Sequence, residues 1–524
     1  MTAAASIRPY LNQAYLLGLL MMAVGFTLSP FLMGMSQFWL VIVWVMDGIV
    51  GGDFKQKLSR FWHNKAAVLL AAFYLMHVVG LLYTSDFQYA MKDLRVKLPI
   101  LILPFIMASM QPLDRKRFNL VMLVYVLSVF VATWFSFAAY IRHDYEDVRE
   151  ISRFISHIRF CLHIVFCIAV IGYFLFTRKS QWWSKAVQVL LLLWFAYQIF
   201  IFESLSGYVV FGAVVVVSAV YAFLQWKKGR GWRVAMAVFA VGILVLGSLA
   251  LVHQIKPLLK VEPVDFSTLE QKTAQGNDYW HDTVYNPIED GKFVGLYYCK
   301  PEMQQAWSQR SELPFEGETL SGENLEATLA RYLTSKDLRK DAEGVAALTD
   351  EDIRNIEQGV ANYNNWKHPG LRARLSATAF EYNIYRRSGN PNGGSLSQRI
   401  EFTRAALHII RQHPWLGVGT GDVPQAFRQA YDEIHSPLSE EFRFRAHNQY
   451  LSIMIAFGVV GLVVFLVALF YPYCASKRNR GYLMTAFLCI MLLSMLPEDT
   501  LETQAGASMF AFFFAFLLFA KPTD

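Results

Sequence analysis

The sequence predicts an all-α polytopic membrane protein of about twelve transmembrane helices, with a largely helical polar domain inserted between spans nine and ten. Three observations lead there. Hydrophobic residues make up 55% of the 524 and charged residues 17%, too little charge to cover the surface of a soluble fold. Apolar runs such as Ala66 to Leu82, Val121 to Ile141, Val187 to Phe202 and Val460 to Tyr471 are long enough, with their flanks, to cross a hydrocarbon core of about 30 Å as helices. A long polar segment, from about His253 to Ala446, interrupts this pattern.

In chain order the spans read as residues 13–29, 31–50, 66–83, 98–111, 118–141, 157–177, 185–202, 206–225, 233–253, 447–472, 482–497 and 503–520. They divide the chain into an amino-terminal membrane region, 1–253, of about nine spans, a loop domain, 254–446, and a carboxy-terminal membrane region, 447–524, of about three. The first apolar stretch, Leu16 to Phe26, continues through Pro30 into the second with no small-residue cleavage site, so it reads as an anchor and not a signal peptide. Basic residues recur in alternate loops: Lys55, Lys57, Arg60 and Lys65; Arg115, Lys116 and Arg117; Arg178, Lys179 and Lys185; Lys227, Lys228, Arg230 and Arg233; Lys477, Arg478 and Arg480. With twelve spans all five clusters share one side. That side is then the cytoplasm, both termini are inside, and the polar segment is outside, in the periplasm of a Gram-negative cell.

The same clustering explains the net charge of +7 without a nucleic-acid partner, because the cations form a topology signal and no binding stripe. Of the five cysteines, Cys161, Cys167, Cys474 and Cys489 fall in apolar spans and only Cys299 is in the polar segment, which excludes a disulfide within it. That segment carries loop signals at Pro314, Gly317, Gly322 and Gly389 to Gly394, and two amphipathic helices. One starts at Thr349-Asp350-Glu351-Asp352 and carries Ile353, Ile356 and Val360 on one face; the other starts at Ser397, with Ile400, Ala406, Leu407 and Ile410 as its buried stripe.

Ionisable residues gather at the outer ends of spans, where proximity to lipid makes them costly and often functional. Lys92, Asp93, Arg95 and Lys97 precede span four, and Arg153, His157 and Arg159 precede span six. Glu203-Ser204-Leu205-Ser206-Gly207 joins spans seven and eight, His447-Asn448-Gln449 opens span ten, and Glu498, Asp499 and Glu502 lie in the last hairpin. A histidine at 447 is suited to take a proton from a hydroxyl near neutral pH. Eleven positions separate it from Gly458, which predicts a shared helical face, with Gly458 and Gly461 admitting a neighbouring helix. Arg399 and Arg404, five apart, project to different faces; an arginine turned to the membrane there suits a diphosphate. Gly417-Val418-Gly419-Thr420-Gly421 follows a helix, lacks the lysine of a nucleotide loop and reads as a tight turn whose N–H groups are still open to an anion. Nothing indicates a metalloenzyme or a serine nucleophile: there is no HExxH, Ser204 and Ser206 have no base nearby in sequence, and the acidic hairpin reads as solvated.

These residues carry a family resemblance. The helix beginning Arg399-Ile400-Glu401-Phe402, its exit His413-Pro414-Trp415-Leu416 into the glycine-rich turn, and His447-Asn448-Gln449-Tyr450-Leu451 running to Gly458 and Gly461 resemble the O-antigen ligase and polymerase family of polytopic, GT-C-like glycosyltransferases, in its ligase-type form with an enlarged periplasmic loop. A weaker likeness covers Gly80 to Asp86 and Leu98-Pro99 to Pro104. The resemblance implies glycan transfer from an undecaprenyl-diphosphate carrier to a lipid A-core hydroxyl, in lipopolysaccharide biosynthesis at the bacterial inner membrane, with membrane lipids as surroundings and no cofactor or metal. It gives His447 the role of activating the acceptor and Arg399 that of binding the donor diphosphate. Arg404, Arg153, His157, Arg159, Arg95, Lys97 and Asn448 are then candidate substrate-binding residues. One departure stands out: the arginine usual after the first serine between spans seven and eight is Leu205 here, so Arg153, Arg159, Arg95 or Lys97 is expected to replace it. An O-antigen polymerase or a protein O-glycan ligase would use the same donor with another acceptor. A transporter fits less well, because the two halves show no repeat and the ionisable groups lie at span ends and not at mid-membrane.

Overall fold

The structure, a computed structural model, describes residues 3–142, 148–177, 181–225 and 260–522 together with short pieces between 242 and 258. The described residues are 72% helical and the chain forms two compact units. The first comprises Met1–Ala240, Phe402–Ser436 and Arg443–Asp524; the second comprises Val241–Glu401 and Pro437–Phe442. Residues 402–436 of the polar segment thus pack with the apolar helices. Most of the ninth span, read at 233–253, and the basic residues Arg178, Lys179, Lys227, Lys228, Arg230 and Arg233 lie outside the described residues.

The amino-terminal part of the first unit is built from α1 (Ala3–Leu28), α2 (Pro30–Gly51), α3 (Phe54–His63), α4 (Lys65–Val79), α5 (Phe87–Lys97), α6 (Pro99–Ser109), α7 (Arg115–Arg142), α8 (His157–Thr177), α9 (Trp182–Ile201) and α10 (Leu205–Gln225). The second unit contributes α11 (Lys300–Ser308), α12 (Leu325–Ser335), α13 (Ala342–Ala346), α14 (Asp350–Glu357), α15 (Tyr363–Lys367) and α16 (Leu371–Ser388). The unit boundary falls inside α17 (Ser395–Gln412), and the first unit resumes with α18 (Val423–Glu433), α19 (Gln449–Ala475), α20 (Tyr482–Ser494) and α21 (Gln504–Phe519).

Local sequence explains where these helices start. Ser29 caps α2 by accepting from the Leu32 N–H at 3.2 Å, and Pro30 follows at the first helical position, where its missing N–H costs nothing. Among the described residues eight helices are long and apolar enough to cross a membrane: α1, α2, α4 with its 3-10 extension to Tyr83, α7, α8, α9, α10 and α19. The span read at 98–111 is the 11-residue α6, which rises only about 17 Å because Pro112 follows it closely and Leu98-Pro99 separates it from α5. Helices α20 and α21, of 13 and 16 residues, are also short and apolar.

Exposure distinguishes lipid-facing helices from soluble ones. Along α9, Phe195, Gln198 and Ile199 are buried, whereas Leu190 is 65% and Leu193 63% exposed. Both faces are apolar, so the outer one needs a hydrocarbon solvent. Helix α21 is the opposite case: every residue from Gly506 to Phe519 is buried, as expected of a helix apolar all round, and it packs against α6 and α20. Charge is also taken inside. Lys57, which the sequence places in a solvated loop, is fully buried, 2.7 Å from Asp47, and donates to the Trp44 carbonyl at 2.8 Å.

In the second unit a core of Met303, Trp307, Leu325, Leu329, Leu333 and Ile356 holds the short helices together. Helix α14 starts where the sequence predicts, and Thr349 and Asp352 form a reciprocal capping box there. The helix ends at Glu357, so Val360 reaches the same core from beyond it. Strands Ile288–Glu289 and Lys292–Phe293 make an antiparallel hairpin whose turn residues, Asp290 (φ 49°) and Gly291 (φ 86°), are both left-handed, the pairing favoured by such two-residue turns. Helix α17 starts two residues before Ser397, at Ser395. Its buried stripe is Phe402, Ala405, Ala406 and Ile409, and Leu407 is 41% exposed; the face is rotated from the predicted one because Phe402 supplies the largest apolar surface.

Candidate functional site

The block His447-Asn448-Gln449-Tyr450 is fastened residue by residue to the turn between α20 and α21. Asn448 caps α19 by accepting from the Leu451 N–H at 3.1 Å, while its amide donates to the Leu496 carbonyl at 2.8 Å. The Gln449 backbone N–H donates to Met495 O at 2.9 Å. Its side chain accepts from the Leu501 N–H at 2.6 Å and donates to Glu502 at 3.2 Å. Tyr450 donates to the Leu492 carbonyl at 2.9 Å. His447 stands at the rim, its ring centroid 5.5 Å from that of Phe402 and 6.4 Å from that of Phe444. Its Nδ1 lies 3.6 Å from an Asp499 carboxylate oxygen, and its side chain is 35% exposed. That distance permits an ion pair but exceeds a formed hydrogen bond. Burial alone would raise the Asp499 pKa; contact with His447 and the charge of Arg445 more than offset it and hold the carboxyl below its ordinary range.

Beneath the histidine is a buried ion cluster. Tyr89, Asp93 and Lys97, four apart on α5, share one face. Lys97 Nζ donates to both Asp93 oxygens at 2.7 Å and to Glu502 at 2.8 Å, and Arg445 reaches the same Glu502 oxygen at 2.8 Å. For Glu502 burial would also raise the pKa, but Lys97 and Arg445 hold it well below the usual carboxylate range; burial pushes Asp93 up to about 6 against the opposing pull of Lys97. The acidic hairpin is therefore not solvated as the sequence suggested: Glu502 is folded inward onto Lys97 and Arg445, and Asp499 faces His447. The crevice lined by His77, Tyr89, Lys97, Thr420, Arg445 and Glu502 has a volume of about 20 Å³, room for roughly one water. Ligand atoms of His447, Glu498 and Asp499 also lie within 4.8 Å of one another, a spacing a cation could share.

The predicted helical face joining His447 to Gly458 does not form. His447 precedes the helix with φ 46°, and Gly458 (φ 62°, ψ −161°) breaks α19. A loop, not a helix, enters the break. Val418 and Gly419 donate to the carbonyls of Ile455 and Ala456, each at 2.9 Å, and Val459 donates to Pro414 O at 2.8 Å. A Cβ on Gly458 would stand 2.2 Å from the Trp415 carbonyl carbon, and one on Gly417 2.4 Å from that of Ala456. Gly461 meets Met76 of α4, so that glycine does admit a helix. The N–H groups of Val418 and Gly419, with that of Gly421 bonded to Thr84 at 2.8 Å, are committed to this joint, which removes the anion-cradle reading of the glycine-rich turn. Gly458→Ala combines left-handed strain with the clash, and is expected to cost about 1 to 3 kcal/mol or more. A detergent melting temperature equal to that of the parent would contradict the tight joint.

The weakly matching Gly80 to Asp86 stretch lies against the same loop. Thr420 donates to the His77 carbonyl at 2.7 Å, Tyr83 donates to the Leu416 carbonyl at 3.0 Å, and the Asp422 carboxylate accepts from Ser85 and Asp86 N–H groups at 2.9 Å. Two distant sequence matches are thus one structural element.

The remaining sequence-read residues lie on several elements. Arg399 is half-buried on the part of α17 that belongs to the second unit, and Arg404 is exposed on the part in the first. Arg153 is exposed before α8; His157 opens that helix and Arg159 follows, both half-buried, at a spacing of two that points them apart. Arg95 is exposed, whereas Lys97 is committed to Asp93 and Glu502. Leu205 opens α10, with Ser204 accepting from the Gly207 N–H at 3.2 Å. Sequence reading gave no role to Arg445 or Gln449 and did not pair Asp499 or Glu502 with a partner. Their one available signal was proximity to His447 or membership of the last hairpin.

No curated protein matches the chain. Residues 357–466 match the family model described as O-antigen ligase, so the chain carries an O-antigen ligase family domain over the segment that holds α17, the glycine-rich loop, His447 and the Gly458 break.

Proposed function

We propose that this membrane protein is an O-antigen ligase, transferring a glycan from undecaprenyl diphosphate to a lipid A-core hydroxyl at the periplasmic face of the inner membrane, without a metal. The observation that carries the proposal is that His447, 35% exposed at the rim and within the ligase-family segment, faces the buried Asp499 carboxylate at 3.6 Å. A family of glycosyltransferase-like enzymes supports the reaction class. In the proposed step His447 takes the acceptor proton as the hydroxyl oxygen bonds to the anomeric carbon, and the bond to the diphosphate oxygen breaks with its electron pair leaving on the carrier. Asp499 positions the imidazole and stabilises its protonated form. Arg399 keeps the donor-diphosphate role that the family resemblance gives it, and Arg445 is a further cation beside the histidine, where the family arginine is replaced by Leu205. A groove of about 380 Å³ lined by Tyr83, Gln412, His413, Gln425 and Gln429 offers the hydroxyl and amide groups that suit a saccharide. Twelve spans with both termini inside put residues 254–446 outside in this reading.

Deleting the gene and resolving lipopolysaccharide on a gel tests it. Long-chain bands should vanish while lipid-linked glycan accumulates; unchanged lipopolysaccharide would remove the assignment, and shortened chains still attached to core would favour a polymerase. Arg399→Ala is expected to lower transfer at least about tenfold with membrane insertion intact, read by complementation and by protease-resistant protein in membranes. Chelation of divalent cations should leave transfer by the purified protein unchanged; loss restored by one added metal would assign the His447, Glu498 and Asp499 group to a cation.

A further inference from the structure

At the other end of α19 the structure has a second polar feature. Beyond the break at Gly458 that helix continues from Val459 to Ala475, a rise of about 25 Å, so its carboxy-terminal end is far from His447. There the ends of α3, α6, α19 and α21 leave a cleft of about 630 Å³. Arg60, His63, Lys65 and Arg478 line it, and no carboxylate is among the lining residues. A one-signed cluster is repulsive by itself, so an occupant of opposite charge stabilises it.

Two arginines are held ready. Arg60 donates through Nε to the Ser109 carbonyl at 2.7 Å, and one terminal nitrogen of Arg478 donates to the carbonyls of Lys521 and Pro522 at 2.9 and 3.3 Å. Each guanidinium has five donors, so these bonds orient the groups and leave others for a ligand. Lys65 is exposed at the start of α4.

The surroundings identify the ligand's other half. Tyr471 lies in the cleft wall and ends an exposed apolar strip up the same face of α19, Val460, Val463, Val467 and Phe470, spaced three and four apart. Trp62, 65% exposed beside His63, is the kind of aromatic that settles at the headgroup level. A free phosphate has no use for such a strip; a lipid does.

We propose that this cleft binds the anionic headgroup of a glycerophospholipid, its phosphate on Arg60, Lys65 and Arg478 and an acyl chain along the α19 strip. The site is separate from the transfer chemistry and occupies the opposite leaflet. Native mass spectrometry of the full chain in detergent, titrated with phosphatidylglycerol or phosphatidylcholine, tests it. Phosphatidylglycerol adducts should appear at concentrations at least about tenfold lower than phosphatidylcholine adducts. The double variant Lys65→Gln/Arg478→Gln should lose most of that preference, and Lys92→Gln, an exposed change on α5, should retain it. Lys65→Gln alone, at an exposed position, should lose part of the preference and keeps the test valid if the double variant fails to fold. Equal binding of the two lipids, an unchanged preference in Lys65→Gln, or complete displacement by millimolar inorganic phosphate would each overturn the proposal, the last by showing a free-anion site.

Discussion

Replacing His447 by alanine is expected to lower glycan transfer by about 10²- to 10⁴-fold, the usual contribution of a positioned general base. The protein should still reach the membrane. His447 has left-handed backbone geometry (φ 46°), which asparagine tolerates better than other residues with a side chain beyond Cβ, so His447→Asn separates loss of chemistry from loss of local structure. Both variants should show the same deficit in a purified assay with lipid-linked donor and core acceptor. Wild-type activity in His447→Asn would remove the imidazole from the mechanism. Asp499→Asn should fall between these and the parent, because it retains the position of the group and removes the carboxylate charge that faces the imidazole.

The largest expected effect on stability is at Lys97. Lys97→Met keeps much of the side chain's volume but leaves Asp93 and Glu502 without their shared cation, and breaking a buried pair in this way costs about 3 to 5 kcal/mol. The direction of the pH dependence follows from the carboxyls. Asp93 is already raised to about 6, so ionising it opposes folding as pH rises from the unfolded carboxylate range through 6. Glu502 is lowered, so its favourable contribution is present above the unfolded value and is lost only on acidification. Without Lys97 both carboxyls shift upward, and the variant's deficit grows from pH 5 to pH 8. Melting temperatures in detergent across that range read it directly; a deficit that shrinks with pH, or none at pH 8, would mean that the three groups are not coupled.

Much of the membrane part was legible because burial in lipid demands length and apolarity, both one-dimensional properties. Ala66 to Leu82 and Val121 to Ile141 correspond closely to α4 with its extension and to α7. The helix start at Thr349 was legible for a similar reason, since its signals lie within four consecutive residues. Failures occurred where two segments had to meet. Spacing alone cannot reveal that α19 is interrupted at Gly458, because the break is made by Pro414 to Gly419 entering from another part of the chain. The same applies to Lys57 and Glu502, charged residues that read as solvated until Asp47 in one case, and Lys97 and Arg445 in the other, are brought against them.

By itself the sequence determined that the chain enters a membrane, where most of its long helices run, and that the block from Arg399 to Gly461 carries the family likeness, because hydropathy and short motifs are written in consecutive residues. Tertiary structure alone decided that His447 faces Asp499, that Asn448, Gln449 and Tyr450 clamp the turn after α20, and that the glycine-rich loop completes a broken helix. Those outcomes depend on hydrogen bonds and ion pairs between residues tens to hundreds of positions apart, whose energies exist only once the helices have packed and excluded water.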